Sequence, residues 1–266
     1  MPKVTATIIT RNEAANISAA LESVRWADEI VVVDSESTDS TVELARRHTD
    51  RVIVRPWPGY VAQKNFAAEQ ASHDWILSLD ADERVSSELA GEIKQVLGTP
   101  PRAAGFRIPR VTFHFGRWIR STDWYPDYQL RLYDRRRGRW TGRYVHESVK
   151  ADGEVGQLHG EIQHHAYRDI SHHLQTMDRY TTLAARQMFE DGRRASWIDI
   201  LITPRLTFFR NYILRGGFRD GMAGLVISAM NAYYVGLKFA KLWELWSTAS
   251  TSIPPAPGAA DRTRSS

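Results

Sequence analysis

Short apolar runs alternate with segments of helical periodicity along the first hundred residues of the chain. Four runs have the length and β-branched content of buried strands, at 4–9, 30–33, 51–55 and 75–79. Apolar residues spaced three and four apart predict helices at 17–24, 40–48, 61–71 and 87–97, with Asn12 capping the first. This alternation with short connections predicts an α/β fold, in which a mostly parallel, Rossmann-like sheet carries helices on both faces.

The rhythm changes after Pro100 and Pro101. Strands are predicted at 104–115, 129–133 and 140–149 with no long helix between them, so the second part of the sheet is expected to be mixed. From Ile170 onwards the pattern is helical. We therefore predict an α/β domain at 1–168, a helical extension at 169–247, and a disordered tail rich in Ser, Pro, Ala and Thr at 248–266.

Acidic residues follow two of the predicted strands at the point where each strand ends. Asp80 and Asp82 come directly after the apolar run 75–79, and Asp34 follows the run 30–33. Open α/β sheets bind ligands at the carboxyl ends of their strands, so these acids are expected to lie together at a binding edge. Two carboxylates there would repel each other unless a cation joined them, and hard divalent cations prefer oxygen ligands. The pattern predicts a site for a nucleotide with its metal, although acidic pairs after apolar runs are also common as helix caps and turns.

The charge distribution suggests an anionic ligand. Net charge is only +4, yet the segment 102–143 holds eleven Arg, no Lys and three acids, a local net charge of +8. Arginine without lysine favours forked recognition of phosphate or carboxylate, although a solvated basic face gives the same pattern. No nucleic-acid-binding motif accompanies these residues, so a phosphorylated substrate or an anionic membrane is the expected partner, and nucleic acid is not.

The compartment is predicted from cysteine content and from the start of the chain. The chain has no cysteine, which excludes disulfides and thiolate metal sites and fits a reducing compartment. The first residues lead straight into a strand, so no cleaved signal peptide is expected.

One apolar helical segment approaches the length of a membrane span. The segment 222–240 has 19 residues, against about 20 for a bilayer span, but Asn231 lies at its centre. Arginines and aromatic residues alternate just before it, between 205 and 219. We expect a packed or interfacial helix in preference to a spanning one, and a membrane-surface role for this region.

The order of motifs resembles the inverting glycosyltransferases of family 2, which have the GT-A fold. The resemblance rests first on TIITRNE at 7–13, VVDSESTDST at 32–41, QKN at 63–65 and LDADE at 79–83. Later segments resemble the subgroup of bacterial lipopolysaccharide-core β-1,4-glucosyltransferases: PDYQLRLY at 126–133, VHE at 145–147, HHAY at 164–167 and DGMAGL at 220–225. The resemblance covers residues 3–246. It implies a glycosyltransferase domain at 1–168 and a membrane-associating region at 169–247.

The resemblance implies roles for individual residues. Asp82 would bind Mg²⁺ or Mn²⁺ directly, Asp80 would contact the ribose or reach the metal through water, and His164 would complete the metal shell. The remaining residues expected to bind the nucleotide sugar are Thr10, Asn12 and Glu13 of the first motif, Asp34 at the uracil or ribose, Lys64 at a phosphate or the base, and Arg131 at the diphosphate. A divalent ion would stabilise the charge that develops on the leaving diphosphate.

Two residues are candidates for the catalytic base. Inversion needs a base that takes the acceptor hydroxyl's proton from the side opposite the leaving group. Many family members supply it from a Glu-Asp pair beyond the metal motif, and the equivalent region of this chain has His146-Glu147 in its place. Glu147, beside His146, is the first candidate, and Asp127 is the second, with a pairing role for a neighbouring Arg as its alternative.

The predicted function is transfer of a hexose, with glucose as first candidate, from a UDP-sugar to a lipopolysaccharide-core or related cell-envelope glycan. The expected partners are a lipid-linked acceptor and an anionic inner membrane, on whose cytoplasmic face a bacterial enzyme would lie. Transfer to a lipid phosphate or a peptide stays open. A nucleotidyltransferase would need a glycine-rich basic signature at the first strand–helix turn, which TRNE at 10–13 lacks. A sugar-binding protein without activity would have no need of Asp80, Asp82 and Glu147 together.

Overall fold

A computed structural model of the protein describes residues 2–142 and 147–251. The ten strands of its main sheet are, in chain order, β1 Val4–Thr10, β2 Glu29–Asp34, β3 Val52–Val54, β4 Trp75–Asp80, β5 Glu83–Val85, β6 Gly105–His114, β7 Arg117–Ile119, β8 Asp127–Asp134, β11 Val155–Gln157 and β12 Ile162–His164. They are arranged in the order β3-β2-β1-β4-β8-β6-β12-β5, with β7 and β11 also paired to β6. A separate hairpin pairs β9, Gly138–Thr141, with β10, Ser148–Ala151.

The first four predicted strands are confirmed and form a parallel unit. β1 pairs in parallel with β2 on one side and with β4 on the other, and β3 extends the sheet beyond β2. The helices between them are α1 Ile17–Ser23, α2 Thr41–Arg46 and α3 Tyr60–Glu69, and α4 Ser87–Val96 follows. The cap predicted at Asn12 was wrong, because α1 begins at Ile17, which puts the cap position at Asn16, and Asn12 adopts a positive φ of 54°.

Alternating residues of the central strands build a core on each face of the sheet. Ile8, Val32 and Leu77 pack in one cluster with residues of α1, α2 and α4. Their strand neighbours Ile9 and Val33 pack in another cluster with Ala67 of α3. Side chains of a strand point alternately to the two faces, so these runs are apolar throughout because both faces are covered.

The second part of the sheet is mixed, as expected. β8 runs antiparallel to both β4 and β6, whereas β12 runs parallel to β6 and antiparallel to β5. The strand predicted at 140–149 was wrong: β9 and β10 are the two arms of an antiparallel hairpin that places Thr141 opposite Ser148. Periodicity over ten residues does not reveal a chain reversal inside the run. Residues 143–146, which include His146, lie outside the described part of the chain.

The C-terminal region consists of the helices α5 Ile170–Glu190, α6 Trp197–Phe209 and α7 Gly221–Thr251. A π-helical turn follows α6, and Phe239 and Leu242 of α7 pack on Ala185 of α5 in a buried cluster. α7 continues to Thr251, past the predicted start of the tail at 248, and residues 252–266 are outside the description. Within the described ranges, no helix combines the length and apolarity that crossing a bilayer requires.

Candidate active site

The carboxyl ends of the parallel strands β1 and β4 open into a cavity, here called the main cavity. Because β1 lies between β2 and β4, the register places Thr10 opposite Asp34 and Ile9 opposite Asp80. The main cavity has a volume of about 650 Å³, in the range of ligand pockets. The predicted site residues that line it are Thr10, Glu13, Lys64, Asp80, Asp82, Arg131, Glu147 and His164.

Asp80 lies between two buried cations. Lys64 Nζ is 3.1 Å from Asp80 Oδ1, and an Arg131 guanidinium nitrogen donates to Asp80 Oδ2 at 3.1 Å. Lys64 also lies over the ring of Trp140, 4.2 Å from its centroid. Burial alone would raise the pKa of the Asp80 carboxyl, but Lys64 and Arg131 hold that pKa far below its usual range. Asp80 is therefore a permanent anion, and in this structure its oxygens face cations of the protein.

Glu83 organises the acidic loop from beneath it. This side chain is fully buried; its Oε2 accepts from the backbone N–H of Asp80 at 3.0 Å. Its Oε1 accepts from Arg131 at 2.8 Å and from Arg110 at 3.0 Å. Neither Glu83 nor Arg110 was predicted to have a role, although an Arg in the otherwise apolar part of a buried strand was a signal for a buried ion pair. Removal of one partner of such a pair strongly destabilises a protein, because the other charge stays buried without compensation. Through its bonds to Asp80, Arg131 and Arg110, Glu83 fixes the geometry of the loop.

Asp82 and His164 are brought together by strand pairing. β12 pairs with β5 so that His164 lies opposite Glu83, and His164 Nε2 comes within 3.3 Å of Asp82 Oδ2. Burial acts to raise the pKa of Asp82, but His164 outweighs it and the pKa is lowered. The carboxylate is thus available as an anion, as a metal ligand must be.

The Asp82–His164 pair fits the protein's share of a divalent-ion site. Two ligands at right angles on an ion with bonds of 2.0–2.1 Å lie about 3.0 Å apart, close to the observed 3.3 Å. The described residues contain no group of three or more His, Cys, Asp or Glu side chains arranged for a metal. Mg²⁺ sites commonly use one or two carboxylates and leave the other positions to substrate phosphates and water, so a site of this kind stays compatible with the geometry.

Asn12 links the loop after β1 to the loop after β2, and Asp34 fixes the second of these loops. The Asn12 side-chain oxygen accepts from the backbone N–H of Thr38, and Asp34 accepts from the backbone N–H of Ser37, both at 2.8 Å. Asp34 is fully buried, and among the described residues neither it nor Asn12 lines the main cavity. Thr10 and Glu13 do line it, and burial raises the pKa of Glu13. The β2–α2 loop is thereby held against the β1–α1 loop.

The two candidate bases differ in their surroundings. Glu147 lines the main cavity, its Oε1 is 3.9 Å from Lys64 Nζ, and its buried Oε2 has no hydrogen-bond partner among the described residues. Asp127 lies outside the described lining, and its Oδ2 accepts two hydrogen bonds from Arg110, at 2.7 and 3.0 Å. Gln129 donates to its other oxygen at 2.6 Å. Asp127 is thus an ion-pair partner of Arg110, the alternative role considered for it. Glu147, in contrast, has one carboxylate oxygen, Oε2, available to a ligand among the described residues.

Residues of the helical region close the main cavity. Arg179 and Tyr180 come from α5, Tyr167 lies between β12 and α5, Tyr60 is the first residue of α3, and Trp57 lies just before α3. None of these five was predicted to be a site residue; for Arg179 and Tyr180 the reason is that a helical pattern does not reveal which domain the helix packs on. Arg179 and Tyr180 show that the C-terminal region contributes to the cavity wall.

An open α/β sheet with acids at its carboxyl edge and a cavity of nucleotide size beside them is the arrangement expected of a nucleotide-sugar enzyme with the GT-A fold. The chain matches the model of glycosyl transferase family 2 over residues 5–149 and belongs to that family. The sequence-based assignments of fold and enzyme class are therefore confirmed.

Two relatives align along almost the whole chain. The lipopolysaccharide core biosynthesis glycosyltransferase LpsC of Rhizobium meliloti is 32% identical over 253 residues, covering 92% of this chain and 94% of LpsC. An uncharacterized glycosyltransferase of Rickettsia felis is 33% identical over 264 residues, with 92% and 90% covered. Among solved structures, mannosyltransferase PcManGT from Pyrobaculum calidifontis, in complex with GDP-Man and Mn²⁺, has a TM-score of 0.54 at 16% identity, covering 92% of this chain and 88% of that one. This last similarity concerns the fold alone.

Proposed function

We propose that this protein is an inverting glycosyltransferase that moves a hexose from a UDP-sugar to a lipopolysaccharide-core glycan. The observation that carries the proposal is the juxtaposition of Asp82, His164 and Glu147 in one cavity at the end of β4. The similarity to LpsC supports the class of acceptor. Glucose is our first candidate for the transferred sugar.

The donor would lie along the acidic edge with its diphosphate at Asp82 and His164. A bound Mg²⁺ or Mn²⁺ would supply Lewis-acid stabilisation of the diphosphate charge. Lys64 and Arg131 are both buried, and each contacts Asp80 at 3.1 Å. They therefore add positive charge next to the acidic edge. Fixed charges in a site shielded from water stabilise a developing anion more than the same charges do in solvent.

Glu147 is the residue that we assign as base. Its Oε2 accepts no hydrogen bond from the described residues, so an acceptor hydroxyl can donate to it. As the hydroxyl oxygen attacks the anomeric carbon, the proton moves to this carboxylate and the nucleoside diphosphate leaves on the opposite face. Asp127, held by Arg110, positions the Arg110–Glu83 pair that supports the acidic loop.

The region 169–247 is proposed to bind the cytoplasmic face of the inner membrane, where a lipid-linked acceptor would be presented. Large apolar side chains along α6 and the turns after it are solvent-exposed, with Trp197 at 66%, Leu206 at 62% and Leu214 at 69%. Monomeric proteins rarely expose contiguous apolar patches of this kind unless they bind something. The exposed Arg205 and Arg215 flank these side chains and complement anionic headgroups. The boundary at 168 and the disordered tail stay predictions; α7 reaches Thr251, so the tail does not start at 248.

Calorimetric titration of UDP into the protein tests the donor site. We expect binding in the presence of Mn²⁺, and affinity about tenfold lower or worse after addition of EDTA, because the diphosphate then loses its counter-charge. Asp82→Ala should reproduce the effect of EDTA, and Asp28→Ala, at the amino-terminal end of β1 and away from the cavity, is the control. Equal UDP affinity with and without the metal would contradict the proposed donor site.

A further inference from the structure

A second cavity lies between the α/β domain and the C-terminal helices, and we name it the aromatic cavity. Its volume is about 250 Å³, just below the usual range of about 300–1,000 Å³ for ligand pockets. A space of this size suits a single sugar ring better than a nucleotide. Its walls are formed by Trp124, Tyr167, His173, Thr176, Met177, Tyr180, Asn231 and Tyr234.

The aromatic cavity shares a wall with the main cavity. Tyr167 and Tyr180 line both spaces, so a ligand in the aromatic cavity would lie directly beside a donor in the main cavity. Glycosyl transfer requires such adjacency, because the acceptor hydroxyl must approach the anomeric carbon closely.

The walls combine aromatic faces with a few fixed polar groups. Trp124 Nε1 donates to Asn231 Oδ1 at 3.1 Å, and Asn231 in turn donates to Asn211 at 3.0 Å, so both side chains are held in place. Tyr167 stacks on His173 with ring centroids 4.0 Å apart. Preorganised aromatic side chains with few polar groups are typical of small-ligand sites.

His173 contributes a polar atom that lacks a partner. The side chain is only 3% exposed, and its Nδ1 has no hydrogen-bond partner within the described residues. A buried polar atom left unpaired is costly, and such atoms in native structures call for an explanation. A ligand hydroxyl, which can both donate and accept, would satisfy the imidazole nitrogen.

We propose that the aromatic cavity binds a pyranose ring of the acceptor glycan. The two faces of a pyranose expose C–H groups that pack on aromatic rings, while its hydroxyls reach groups such as His173 and Asn231. This inference rests on the glycosyl transfer proposed above and names the surface that would select the acceptor.

The position of the cavity along the chain supports a role in acceptor selection. Seven of its eight lining residues lie beyond residue 149, where the match to the family model ends; Trp124 is the other one. The shared family domain supplies the acidic edge, so the acceptor surface would come from the part of the chain outside that match.

Two neighbouring tyrosines of α7 provide a matched test. Tyr234 lines the aromatic cavity, whereas Tyr233 does not and is 55% exposed. The probe is a core oligosaccharide freed of its acyl chains, measured by saturation-transfer NMR without donor and by transfer kinetics with UDP-glucose. Tyr234→Ala should weaken the NMR signal and raise the oligosaccharide KM about tenfold, the effect of losing about 1.4 kcal/mol of ring contact. Tyr233→Ala should change neither, and UDP affinity should stay the same in both variants.

A second variant fills the cavity instead of trimming it. Thr176→Phe places a ring in the same space from the α5 side, so it should raise the oligosaccharide KM even if Tyr234→Ala is poorly folded. Equal oligosaccharide KM in wild type, Tyr234→Ala and Thr176→Phe would overturn the proposal. So would wild-type protein that binds UDP but gives no saturation transfer to the oligosaccharide. Wild-type protein that fails to bind UDP would instead overturn the proposed function.

Discussion

The exchange of Glu147 for Gln separates proton transfer from substrate binding. Gln keeps the shape of the side chain and removes its basicity, so kcat should fall by about 10²–10⁴, the usual contribution of a general base. This corresponds to about 2.7–5.4 kcal/mol of activation free energy, at 1.36 kcal/mol for each factor of ten.

UDP affinity should remain nearly constant in Glu147→Gln. The contact that the substitution alters on the donor side is the ion pair of Glu147 with Lys64 at 3.9 Å. Lys64 stays held by Asp80 at 3.1 Å and by the ring of Trp140 at 4.2 Å, so its position does not depend on Glu147.

Asp127→Asn is the matched comparison. This change weakens the ion pair with Arg110, in which the Asp127 side chain is 29% exposed, and Arg110 keeps its bond to Glu83. We expect a loss of about 1 kcal/mol in unfolding free energy, typical of a partly exposed pair, and a small change in kcat. The assay is steady-state transfer from UDP-glucose, with urea unfolding in parallel. Near-normal kcat in Glu147→Gln together with loss of turnover in Asp127→Asn would refute the assignment and exchange the two roles.

Two further predictions concern the C-terminal region. In flotation with anionic liposomes, the protein should stay bound to the liposomes at low salt and dissociate at high salt, because salt screens the electrostatic attraction. The double variant Leu206→Glu, Leu214→Glu should not bind them. Full recovery of the wild-type protein in the soluble fraction at low salt would refute the proposed membrane surface. Burial, with His114 and His172 nearby, lowers the pKa of His173 to about 4, from 6.5 in the unfolded chain, so the unfolded state binds more protons between these values. The contribution of His173 to the free energy of unfolding should therefore be fully present above pH 6.5 and be lost as the pH falls towards 4. In thermal melts at successive pH values, His173→Gln should show a smaller fall of the melting temperature over this range. An equal fall in both proteins would contradict this.

The parallel half of the sheet was predictable because its signals are local. Strands buried on both faces have continuous apolar runs, and Asp34 and Asp80, the last residues of β2 and β4, fall at the carboxyl edge by topology alone. The boundaries observed for β1 and β4 lie within one residue of the predicted ones.

The interior of the site was less predictable because it depends on pairing between distant segments. Strands β5 and β12 have three residues each, too short for a periodicity, yet their pairing is what brings His164 to Asp82. The role of Asp127 follows from the register of β8 on β6, which places Asp127 opposite Arg110. Sequence spacing contains no information about such registers, so the buried Glu83 network could not be derived from it.

Transfer of one hexose from UDP-glucose to a core oligosaccharide, followed by mass spectrometry and by NMR of the new anomeric proton, tests the central claim most directly. We expect a mass increase of one hexose and a β-linkage formed from the α-linked donor, in the presence of Mg²⁺ or Mn²⁺ and not with Asp82→Ala. A product with retained α-configuration, or equal product formation by Asp82→Ala, would contradict it.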